Sequence, residues 1–217
     1  MIRVAPAAEP PAFDQRVRTL GLRAIAEMVG ERPPRPSGRR FETVATRRED
    51  IPADKFHPYW TEALDDLMAG YNQICAYSCF RIHTVTGGRS VDHMAAKSRA
   101  WDTVYEWTNY RLASSLLNAR KREFGDVLDP FEILDGWFQL ELVGFQVLPA
   151  ADVDDGIRTG VQQTIDRLRL NDFRREREKD AEWYWTRDVS LRVLRAESPF
   201  VAGELRRQGR LNPGDVW

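Results

Sequence analysis

Cysteine is nearly absent from this chain: only Cys75 and Cys79 occur in 217 residues. Two thiols cannot by themselves close a tetrahedral structural zinc site, which needs four ligands. They read as reduced, buried thiols, and with no signal peptide evident the chain is expected to be cytoplasmic. Long apolar runs are missing as well, so no membrane helix is expected. The net charge is only −1, which alone gives no argument for a nucleic-acid partner. There is no glycine-rich phosphate loop, no internal repeat and no sustained heptad. Those absences leave a globular protein whose function must be read from a local constellation of side chains.

That constellation lies in VDHMAAKSRAWDTVYEWTNYRLASSLLNARK, Val91 to Lys121. Asp92-His93 is followed by Asn109 sixteen residues after His93, by Asn118 nine further on and by Lys121 three after that. One carboxylate, one imidazole and two amides suit a hard cation beside a general base. A cation such as Mg²⁺ accepts one or two carboxylates together with waters and phosphate oxygens. Asp92 offers the anionic oxygen and Asn118 a neutral carbonyl. His93 has the side chain whose ordinary pKa lies nearest neutrality, so it can take a proton from water.

The surrounding pattern predicts strand, loop, strand, helix. Arg89 to Met94 alternates polar and apolar, with Gly87-Gly88 ahead of it as a hairpin-turn signal. Ala95 to Glu106 reads as a loop, Thr108 to Ala113 as a second short strand, and Ser114 to Phe124 as a helix with Ser114 at its N-cap. Helical spacing is expected to gather Ser114, Asn118, Lys121 and Arg122 on one face, with Leu116 and Leu117 turned toward a core. Asp92 and His93, as strand neighbours, are expected to point to opposite faces.

At these residues the segment resembles the HNH endonucleases, in the variant with Asn in the third position. The resemblance implies a ββα-metal fold and a set of roles. Asp92 and Asn118 would hold Mg²⁺ or Mn²⁺, and His93 would be the general base. Asn109 would fix the loop and the His93 backbone, and Lys121 would face phosphate. Arg89, Lys97, Arg99, Arg120 and Arg122 are the expected nucleic-acid contacts. Many HNH proteins stiffen this motif with zinc held by two Cys-x-x-Cys pairs. Here CAYSC separates its cysteines by three residues, Ser78 stands in place of the second thiol, and the other pair would fall at Ser114 and Leu117. His57 and His83 are the only extra candidates, and their spacing is wrong. Structural zinc is therefore not expected.

Charge is unevenly spread. Arg81 to Phe124 holds eight Lys/Arg against four Asp/Glu, the first fifty residues hold ten Arg against seven acids, and residues 125–217 are net negative by five. This predicts a basic phosphate-tracking patch backed by a neutral or acidic scaffold. Residues 1–40 are expected to form an arm (Met1 to Pro11), a helix (Phe13 to Val29) and a proline-rich linker (Glu31 to Arg40). Residues 41–133 would be the nuclease core, opened by a helix from Pro58 to Tyr71. Residues 134–217 would add a hairpin within Trp137 to Pro149, a helix over Asp152 to Leu170, and a long charged helix from Phe173 to Arg195 whose tryptophans pack between helices.

The fold class expected is α+β, mainly helical, around one ββα-metal motif. CAYSC, YEWTNYRLA and DVLDPF are similar to phrases in small HNH proteins of anti-phage systems, the Septu type and some retron-linked systems among them. That likeness implies a DNA endonuclease acting in bacterial defence with a separate ABC- or SMC-like ATPase. The competing readings are a catalytically silent adaptor that binds DNA or the ATPase, and a nuclease acting on RNA.

Overall fold

The computed structural model describes residues 1–217 and is α+β: seven α-helices and two small antiparallel hairpins. A π-helical turn over Asp14–Arg18 runs into α1, Thr19–Met28. Val17, Ala24, Ile25 and Met28 repeat at helical spacing and are buried. Buried Glu27, on the same helix, is neutralised by Arg23 at 3.0 Å and by Arg35 at 2.9 Å. The second of these pairs ties the proline-rich segment back onto α1. The segment before the helix is extended but not loose. Val4 donates its N–H to the Pro130 carbonyl at 2.8 Å, and the Trp107 indole donates to the Ala7 carbonyl at 2.8 Å.

A 3₁₀ stretch, Tyr59–Ala63, leads into α2, Leu64–Gly70. The central hairpin pairs β1, Arg89–His93, with β2, Tyr110–Ser114, so that Asp92 faces Arg111 and His93 faces Tyr110. Gly87-Gly88 does not turn a hairpin, because the only partner of β1 is β2, which follows it. Instead, Gly87 closes a local turn on the His83 carbonyl, and the Gly88 carbonyl accepts the Ser115 N–H at 2.6 Å. Helix α3, Ser115–Lys121, is shorter than expected: Ser114 caps it by accepting from the Leu117 N–H, and Arg122 ends it with φ 49°. Leu117 is fully buried, whereas Leu116 is 50 % exposed, so only one of the two leucines reaches the core.

The second hairpin joins β3, Phe138–Leu140, to β4, Val147–Pro149. Next come α4, Asp155–Leu168, with Asp154 as N-cap, and α5, Arg174–Trp185. The expected single helix from Phe173 to Arg195 is in fact broken. The chain leaves helical geometry after Trp185, Arg187 adopts φ 65°, and Ser190 caps a new helix, α6, Leu191–Glu197. Helix α7, Pro199–Arg207, follows with Pro at its start, where the missing N–H costs nothing. Trp183 is 46 % exposed rather than packed between helices, while Tyr184 beside it is fully buried. One hydrophobic cluster runs from Phe13 and Ile25 through Tyr110 and Leu117 to Val161, Tyr184 and Leu205. The central hairpin and α3 are thereby braced on several sides. No helix is long and apolar enough to cross a membrane.

Candidate active site

The end of β1, the loop after it and the start of β2 bring His93, Asn109 and Val104 together. Asn109 holds the loop with every atom of its carboxamide. Its oxygen accepts the Ala95 N–H at 2.7 Å, and its nitrogen donates to the Ala95 carbonyl, the Thr103 carbonyl and the Thr103 hydroxyl between 3.0 and 3.2 Å. The Met94 N–H meets the Asn109 carbonyl at 2.9 Å, so the backbone just past His93 is fixed as well.

His93 is 9 % exposed. Its Nε2 lies 3.0 Å from the Val104 carbonyl, an oxygen that can only accept, so Nε2 carries the proton and Nδ1 keeps the lone pair. The ring is held edge-on to Trp60, with centroids 4.8 Å apart, and to Tyr110 at 5.1 Å. Burial, with Lys97 adding to it, pushes the imidazole pKa down to about 3, so the ring is neutral at any physiological pH. It is a neutral ring fixed in one tautomer.

Asp92 is buried on the other side of β1. Its Oδ2 accepts the Tyr77 hydroxyl, and its Oδ1 lies 3.2 Å from the Lys121 ammonium. Burial raises the carboxyl above its ordinary range, while Lys121 and Tyr77 pull the other way. Lys121 is 0 % exposed and donates to the His93 carbonyl at 2.9 Å and the Met94 carbonyl at 3.3 Å. An ammonium has three N–H donors, and Asp92, His93 and Met94 occupy them all. The expected phosphate-facing cation therefore points inward, and it is a strut under the end of β1. Arg122, past the end of α3, does not share a helical face with it.

Asn118 reaches β1 from α3. Its nitrogen donates to the Ser90 hydroxyl at 2.6 Å and to the Val91 carbonyl at 3.2 Å, leaving its oxygen as the unengaged acceptor. Nowhere does the chain gather three or more His, Cys, Asp or Glu side chains in a metal-binding group. The donor set is therefore one carboxylate and one amide oxygen. Both are ligand types that a hard cation accepts, and to hold one Asp92 would have to share oxygens already taken by Tyr77 and Lys121.

The expected nucleic-acid contacts divide into two kinds. Arg89 is ion-paired to Asp65, and Arg120 to Asp172 at 2.8 Å; Arg120 also donates to the Leu168 and Arg169 carbonyls. These two tie elements together. Lys97, Arg99 and Arg122 have no acid partner within ion-pair distance. Lys97 lies 4.4 Å over the Trp60 ring, the same ring that abuts His93, so its charge stands at the rim of the site.

Two features of the site were not anticipated from sequence. Tyr77 sits in the CAYSC hairpin, which is docked on β2 by the Ala76 N–H to the Leu112 carbonyl at 2.8 Å and by the Ser114 N–H to the Cys75 sulfur at 3.4 Å. Both thiols are buried, and the positions of the second cysteine pair hold the helix cap Ser114 and the core residue Leu117. From this turn the Tyr77 hydroxyl reaches Asp92. The other feature is Arg111, which makes a buried bidentate pair with Asp129 and covers Phe131 at 3.5 Å, anchoring β2 from the opposite side. Neither residue belongs to a recognisable spacing, and an aromatic in a cysteine hairpin carries no chemical signature by itself.

No protein-family model matches the chain, and no curated protein does.

Proposed function

We propose that this protein is an HNH-type, metal-dependent endonuclease whose substrate is DNA. The observation that carries the reading is His93: a neutral, oriented imidazole with Nδ1 as its available base, fixed by the Val104 carbonyl and by a loop that Asn109 clamps.

In the proposed reaction His93 Nδ1 takes a proton from a water whose oxygen attacks phosphorus, and the bond from phosphorus to the 3′ oxygen breaks. Asp92 and Asn118 would hold a Mg²⁺ or Mn²⁺ ion, which would supply charge stabilisation at the phosphoryl and leaving oxygens. Lys97, with Arg99 and Arg122, holds the phosphodiester backbone, in the role that Lys121 was expected to fill. Such contacts give affinity without sequence readout. Tyr77 and Lys121 fix the Asp92 carboxylate, and Asn109 keeps the loop from moving the base. The likeness of CAYSC, YEWTNYRLA and DVLDPF to small anti-phage HNH proteins supports a role in bacterial defence beside a separate ABC- or SMC-like ATPase.

A second reading has an observation of its own. Asp92 is already neutralised by Lys121, as it would be in a catalytically silent HNH-fold adaptor that binds DNA or the ATPase. Digestion of plasmid, single-stranded DNA and tRNA side by side with Mg²⁺ or Mn²⁺, with and without the ATPase, separates the readings. Plasmid cleavage that needs His93 supports the DNA nuclease, tRNA cleavage alone moves the substrate to RNA, and metal-independent background in every lane leaves the adaptor.

A further inference from the structure

The half of the chain that is net acidic carries the largest group of uncommitted arginines. In residues 125–217 Arg158 pairs with Asp155, Arg167 with Asp126, Arg169 with Asp172 and Arg207 with Glu204. Other arginines of α6 and α7 have no such partner. Arg192, Arg195 and Arg206 are exposed and no carboxylate lies within ion-pair distance of any of them. Exposed Arg3, from the extended N-terminal segment, joins them with its guanidinium equally free.

These four line two adjoining hollows that share Arg195. One, of about 710 Å³, also holds the amide side chains of Asn72 and Gln73. The other, of about 610 Å³, has Trp217 on its wall. The carboxylates bordering the second hollow are already engaged, Glu204 by Arg207 and the Leu140 N–H, and Asp135 by the Arg3 N–H. Arg195 and Arg206 both lie over the Trp217 ring, at 4.4 and 4.7 Å. A guanidinium resting on an aromatic face is held in place while its N–H edge stays free for a planar, bidentate acceptor.

We propose that this arginine face is a second nucleic-acid contact, gripping the phosphodiester backbone of duplex DNA apart from the proposed cleavage site. The inference rests on the nuclease reading for the identity of the polyanion, and it adds an exosite to it. A phosphate backbone suits the face better than an acidic peptide. Arginine forks match phosphate oxygens bidentately, and a row of them needs no side-chain sequence opposite.

The test is binding of a duplex of about 30 base pairs in EDTA, where cleavage does not interfere, over a range of salt concentrations. The triple variant Arg192→Gln/Arg195→Gln/Arg206→Gln is expected to bind at least about tenfold more weakly than wild type. Its slope of log K against log salt should be shallower by about 2.7, since each phosphate contact contributes about 0.9. Its melting temperature should be unchanged, because the three side chains are exposed. An unchanged slope and affinity, or no duplex binding by the wild type, would overturn the proposal. So would tighter binding of labelled oligoglutamate than of duplex at matched ionic strength. Nicking that survives His93→Ala would defeat the nuclease reading without touching this measurement, so the two failures are distinguishable.

Discussion

Lys121 shows how a spacing can be right and a role wrong. The interval from Asn118 to Lys121 places a cation one turn along α3, and the chemistry of phosphate transfer suggests that it faces substrate. The strand end decides otherwise. His93 and Met94 leave two carbonyls without strand partners, Asp92 leaves a buried charge, and a single ammonium satisfies all three. Lys121→Met is expected to destabilise the protein by about 3–5 kcal/mol, since it strands a buried carboxylate and two carbonyls. Urea unfolding checks this, and a loss below about 1 kcal/mol would mean that Lys121 is not the strut described. His93 makes the complementary case. Its folded pKa, about 3, lies below the ordinary value of 6.5, so the unfolded chain binds more protons between those limits. The resulting stability is fully present above about pH 6.5 and is lost progressively as pH falls toward 3. In EDTA, His93→Gln should flatten that acid-side decline, as read by melting temperature against pH; an equal decline in both proteins would count against a buried neutral imidazole.

At the scale of elements, the strand–loop–strand–helix order around the site was legible in the sequence, because alternation and the Ser114 cap are local signals, whereas Gly87-Gly88 misled as a hairpin turn. The break between α5 and α6 was not. Trp185, Val189 and Val193 keep a four-residue spacing across it, and only the Ser190 cap marks the new start. Tyr77 and Arg111 were equally silent, since their importance arises from partners 15 and 18 residues away. Gly21 adds a contact of the same kind. A Cβ there would lie 2.2 Å from the Tyr105 ring, which is buried and stacked with the Trp60 that abuts His93. Gly21→Ala is therefore expected to cost about 1–3 kcal/mol by overpacking, despite alanine's better helix propensity. Chemical denaturation distinguishes this from the stabilisation that propensity alone would give.

For the whole molecule, charge distribution was read correctly as a sum and incompletely as a surface. Residues 125–217 are net negative by five, yet Arg192, Arg195 and Arg206 stand exposed and without an ion-pair partner on α6 and α7. Around the hairpin the reverse occurs: Arg89 and Arg120 are neutralised, and three cations, Lys97, Arg99 and Arg122, stay free. Both surfaces serve one central claim, that His93 is the base of a DNA-cleaving site. The direct measurement is conversion of supercoiled plasmid to open circles by purified wild type and His93→Ala, with Mn²⁺ or Mg²⁺, with and without the proposed ATPase. Wild type should nick in a metal-dependent way and His93→Ala should fall by at least about 100-fold, the lower range for loss of a general base. Equal rates in the two proteins would contradict the account.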